Sequence, residues 1–225
     1  KHKHSIGYDF VFIIIFHTHK CIFVLMRIVF ILYGGHYIGI ILVSKIKAII
    51  NKERKKKMSK QWISRGGKAE ITIVMSSNPG KQEEYAASEL KNYLDYITSS
   101  SIPIGDESTP GAVIAIGSAA ARLGVTAGKE LGEDGFTIRS VGNSLAIAGG
   151  KRGVIYGVYE FLEKLGCRFF TPTCEKIPSI PVLELPVLND TQVPVLEYRY
   201  HDYSDIMRYP RFAVKCRLNG TMDGS

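Results

Sequence analysis

The sequence predicts an α/β (α+β) fold: a mixed β-sheet with two helices on one face, followed by the first unit of an incomplete β/α barrel. Three observations predict it. Phe136, Ile138 and Val141 fall at roughly every second position, as do Leu145 and Ile147, with Gly142-Asn143 between them as a tight turn, so two short antiparallel strands are expected. Past Gly149-Gly150 the spacing becomes helical: Val154, Ile155, Val158, Tyr159, Phe161, Leu162 and Leu165 share one broad face that Gly166 ends. A second helix is expected over Lys81–Thr98, where Tyr85, Ala86, Leu90, Tyr93, Leu94 and Ile97 recur at the same period.

Residues 1–57 differ from everything after them. Cys21–Val43 is apolar except for Arg27 and His36, and a run of about 20 apolar residues is the length that spans a bilayer. An Arg near the centre of such a span costs about 2.5–3.5 kcal/mol, which the Leu, Ile and Phe residues around it offset in part. The basic run that follows (Lys45, Lys47, Lys52, Arg54, Lys55, Lys56, Lys57) would hold the C-terminal side in the cytoplasm, so the expected location is cytoplasmic, either free or membrane-anchored facing the cytoplasm. A cleavable signal peptide fits worse, because no small-x-small site follows the apolar core and the basic cluster lies on the wrong side. The other reading is translated upstream DNA with Met58 as the start: the segment is rich in Ile, Phe, Tyr and Lys and has neither amphipathic period nor caps.

After a polar Ser59–Gly67 lead, Glu70–Ser76 reads as a first strand with Ile71, Ile73 and Met75 on one side. Ser77-Asn78-Pro79 announces the helix at Lys81, and Glu83 and Glu84 suit the positive end of its dipole. Ile102-Pro-Ile104 is a short edge strand, and Ala112–Gly117 a nearly continuous apolar run of the kind expected in a central strand covered on both faces. Ser118–Leu123 is one helical turn before the hairpin. Beyond Phe170, prolines at 172, 178, 181, 186 and 194 make residues 173–193 an extended connector. Leu196–His201 then reads as a strand and Arg208–Cys216 as a short helix.

The order of the Gly-x-x-Gly-Phe hairpin (132–136), the Ile-Ala-Gly strand end (147–149) and Arg152-Gly-x-x-Tyr-Gly-Val-x-x-Phe-Leu-Glu163 resembles the small α/β domain that precedes the catalytic barrel in β-N-acetylhexosaminidases and bacterial α-glucuronidases. Leu165-Gly-Cys-Arg-Phe-Phe-Thr-Pro172 and Pro194-Val-Leu-Glu-Tyr-Arg199 are closer to the α-glucuronidase side. The resemblance covers about residues 69–220. It implies an N-terminal domain over 69–172, the connector 173–193, and the start of a truncated barrel over 194–225. It also implies that Arg199, with His201 and Asp202 at the mouth of the strand, faces the sugar, where a guanidinium holds a uronate carboxylate by two bonds. The competing reading of Arg199 is an ion pair with Glu197 or Asp202 at a domain junction.

Glycoside hydrolysis usually needs two carboxylates about 5–9.5 Å apart. The resembling enzymes carry theirs on later strands of a barrel of about 250 residues, so the resemblance implies no catalytic residue in the roughly 30 residues that follow the connector here. The function expected is that of an N-terminal fragment of an α-glucuronidase-like glycoside hydrolase active on xylan. The alternative is a stand-alone carbohydrate-binding or interaction module, membrane-tethered if 21–43 is an anchor. The expected partner is an oligosaccharide or polysaccharide met through the barrel. Nucleic acid is not expected, because much of the +8 formal charge belongs to residues 45–57. Cys21, Cys167, Cys174 and Cys216 have no metal-ligand spacing, so neither metal nor cofactor is expected, and burial of Cys167 and Cys174 is a simpler reading than a disulfide between them. Glu133-Asp134 reads as a solvated turn, Gly149–Gly153 as a helix-start turn rather than an anion cradle, and Tyr156, Tyr159 and Phe161 as core.

Overall fold

The computed structural model describes residues 60–220 and opens on a hairpin, β1 (Trp62–Arg65) and β2 (Lys68–Ala69), paired antiparallel across Gly66-Gly67. Both glycines have positive φ, +60° and +73°, the backbone that a two-residue hairpin turn requires. The stretch expected as a polar lead is thus a pair of strands. Their only fully buried side chains, Ile63 and Ser64, are adjacent, so no alternation marks them in the sequence.

The main sheet is assembled from β3 (Thr72–Val74), β4 (Ile104–Gly105), β5 (Val113–Ile116), β6 (Phe136–Val141), β7 (Ser144–Gly149) and β11 (Asn189–Gln192). Its order is β11-β6-β7-β5-β3-β4, with β7, β5, β3 and β4 mutually parallel and β6 antiparallel to both neighbours. All four residues of β5 are buried, as its continuous apolar run requires. Helices α1 (Lys81–Thr98) and α2 (Gly153–Lys164) pack on each other and on one face of this sheet. The core lies there, around Leu90, Leu94, Ile97, Ile114, Ile147, Tyr159 and Phe161. Each such side chain contributes about 1.5–3 kcal/mol by leaving water. The other face is closed by a 3-10 segment, Gly117–Leu123, over Val74, Ala115, Ala146 and Ala148.

Helix α1 ends as its sequence suggests, with Ser99 in the left-handed conformation, φ +53°. Asp95 near that end takes Lys91 Nζ at 2.6 Å and the Ile102 amide at 2.6 Å, which turns the chain directly into β4. Helix α2 lies close on the sheet at Gly157, where a Cβ would stand 2.8 Å from Ile147 Cγ2. Tyr156, Tyr159 and Phe161 are core, as expected.

Two expectations for the second half need correction. Residues 173–193 carry strands rather than an extended connector: β9 (Cys174–Lys176) forms a hairpin with β8 (Arg168–Thr171), β10 (Leu183–Glu184) adds to β1, and β11 extends the main sheet beyond β6. Proline lacks an amide donor but tolerates the gaps between short edge strands, and these strands lie between the prolines. The segment Leu196–His201 forms no strand. Two short helices, α3 (Ser204–Arg208) and α4 (Pro210–Lys215), follow it, and all the described residues belong to one compact unit. Cys167 is buried and burial pushes its thiol up to about 11, while Cys174 and Cys216 are exposed; none of the three is in a disulfide. No helix among the described residues is long and apolar enough to cross a membrane, and the 21–43 span lies outside them.

Candidate functional site

Two glycine-rich loops meet backbone to backbone at the foot of α2. The Gly150 amide donates to Gly135 O at 3.0 Å, and the Arg152 and Gly153 amides both donate to Glu133 O at 2.9 Å. A Cβ on Gly150 would stand 2.0 Å from Gly132 O, and one on Gly153 would stand 2.0 Å from Gly135 O. Only hydrogen fits at either position. The amides that an anion cradle would present are therefore spent on the neighbouring loop, and the helix-start reading of Gly149–Gly153 describes the geometry.

This clasp aims Asp134 inward. Asp134 is 8% exposed, against the expectation of a solvated turn, because three donors converge on it: Arg152 Nε at 2.5 Å, Arg199 Nη2 at 2.7 Å and Asn219 Nδ2 at 2.6 Å. Burial pushes its carboxyl up, but hydrogen bonds from Arg152, Arg199 and Asn219 and the charge of Arg152 outweigh that and hold it below the ordinary carboxylate value. Glu133, its neighbour in sequence, stays exposed and pairs with Arg152 Nη2 at 3.0 Å.

Arg199 is the centre of the segment that crosses this clasp. Its Nε donates to Arg217 O at 2.8 Å, its Nη1 to Leu196 O at 2.7 Å, and its guanidinium lies 5.8 Å from the Tyr156 ring centre. Asn219 closes the loop, its Oδ1 accepting from the Arg199 amide at 2.7 Å. Beside this cluster is a groove of about 340 Å3, lined by Glu130, Gly132, Arg152, Val195, Glu197 and Arg199. His201 and Asp202 do not line it. Both are exposed, His201 edge-on to Tyr203 and Asp202 accepting from Tyr200 Oη at 3.4 Å. Of the two partners expected for an Arg199 ion pair, neither is used; Asp134, 65 residues earlier, takes that place.

The same segment is held at three further points, none visible in the sequence pattern. Glu89 on α1 is 3% exposed and accepts from Tyr159 Oη at 2.7 Å and from Arg211. Glu175 accepts from Tyr93 Oη at 2.7 Å and from Lys215, whose ammonium also lies 5.3 Å from the Tyr93 and Phe169 ring centres. Arg217 reaches Glu160 and Glu163 on α2, each at 2.6 Å. Of these carboxylates Glu89 is the buried one, and a buried carboxylate is tolerated only when paired and hydrogen-bonded.

A second groove, of about 370 Å3, opens where the parallel strands end, between Asn78, Gly80, Ser118, Gly150 and Lys151. Glu83 reaches across it to the Ser118 amide at 2.6 Å and hydroxyl at 3.1 Å. Among the described residues no group of three or more His, Cys, Asp or Glu side chains is placed to hold a metal ion.

The sequence matches the family described as "Glycosyl hydrolase family 67 N-terminus" over residues 48–161. No curated protein matches the chain in sequence. Among solved structures, a family GH115 4-O-methyl-α-glucuronidase with specificity for decorated arabinogalactans is similar in fold, with TM-score 0.53 and 16% identity over 71% of this chain and 25% of that one. The β-hexosaminidase of Streptomyces plicatus aligns at TM-score 0.46 and 17% identity, over 72% of this chain and 30% of that one. The family GH20 β-N-acetylhexosaminidase of Streptomyces coelicolor aligns at 0.45 and 18%, over 72% and 31%. The chain thus spans about a quarter to a third of the length of these enzymes.

Proposed function

We propose, from the premise that the chain belongs to the glycosyl hydrolase family 67 N-terminus, that it is the non-catalytic N-terminal part of a longer α-glucuronidase-like enzyme acting on xylan-type plant polysaccharide. Its task is to support and orient the catalytic body that follows. The observation that carries this reading is the use made of its buried carboxylates. Glu89 and Asp134, the two acids most withdrawn from solvent, are each clasped by arginine and hydrogen-bonded in place. A glycosidase acid must instead face a scissile bond opposite a second carboxylate about 5–9.5 Å away. The acids here hold one part of the chain to another.

The basic run 45–57 supports a cytoplasmic location, with residues 21–43 as an anchor in the membrane-tethered alternative. A direct sugar contact is favoured by one observation: His201 and Asp202 are exposed at the end of the segment that Arg199 anchors. Their substitution by alanine should then weaken binding of glucuronic-acid-bearing xylo-oligosaccharides to the enzyme with the fold unchanged.

The test is an assay of the 225-residue chain and of the longer polypeptide read from the same frame, both on aldouronic acids. Release of glucuronic acid by the longer polypeptide and none by this chain is expected. Turnover by this chain alone would place catalytic carboxylates within it and overturn the reading. Tight polysaccharide binding with a stop codon close after Ser225 would favour the stand-alone module.

A further inference from the structure

We draw no further inference here: the strongest candidate, the groove of about 370 Å3 at the carboxyl ends of β3, β5 and β7, rests on the amino end of α1, which no side chain caps, and on the exposed residues Asn78, Ser118 and Lys151, and no second feature among the described residues points to a ligand there.

Discussion

The sheet with its two helices and the segment 193–220 are held by opposite means. In the first, wholly buried side chains such as Leu90, Ile114, Ile147 and Phe161 interlock, and among the described residues Glu89 and Asp134 are its only buried charges. In the second, Ile206 and Phe212 are the only buried apolar side chains in the stretch, and Arg199, Arg211, Lys215 and Arg217 do the holding. Apolar burial is non-directional and resists both salt and pH, whereas ion pairs demand geometry and respond to both. The two regions should therefore fail under different insults, and that difference can be measured.

The largest effect is expected from Phe161→Ala. Phe161 is fully buried between α2 and the sheet, and its truncation should cost about 3–5 kcal/mol in the urea denaturation of the whole unit. If the sheet survives while 193–220 is lost, the assignment of the core is wrong. Asp134→Ala comes next. It leaves Arg152 and Arg199 without their shared acceptor, and with Arg152 partly in solvent the loss should be about 2 kcal/mol, confined to 193–220. Hydrogen exchange should speed up at 196–220 and not in β5 or β7. Equal loss in both regions would abolish the contrast between them.

Acid should separate the regions in the same way. The Asp134 carboxyl lies below its ordinary value of 3.8 in the folded chain, so the stability it contributes is complete above that value and is lost as pH falls through the folded one. Proteolysis should cut 193–220 only below about pH 4, before the core gives way. The smallest effect is expected at the surface: Lys60→Ala breaks an exposed pair with Glu184 and should alter stability by less than about 0.5 kcal/mol. A larger loss would mean that the β10-β1-β2 sheet depends on charge as the C-terminal segment does.

How far each part could be read in advance follows from what holds it. Helix α1 begins and ends where its apolar period does, and the β6-β7 hairpin turns at Gly142-Asn143, because side chains three, four or two apart meet across one element and leave their period in the sequence. The β1-β2 hairpin and strands β9 to β11 are too short to carry a period, and their residues read as a polar lead and a proline-rich connector. In the candidate site, Arg199 stood out from a family resemblance, and Glu133-Asp134 and Gly149–Gly153 stood out as motifs. That all three belong to one cluster was not legible.

The sequence by itself determined the β6-β7 hairpin, the two helices on one face of the sheet and the central strand buried on both sides, since each is a repeating choice between apolar and polar along a short stretch. Only the tertiary structure decided that Asp134 is buried, that Arg199 is turned onto it from 65 residues away and Arg211 onto Glu89 from 122, and that the apolar side chains beside them face outward. Burial of a repeating face is settled residue by residue along one element. A pair of charges has no period, and its partners are neighbours only after the chain has folded.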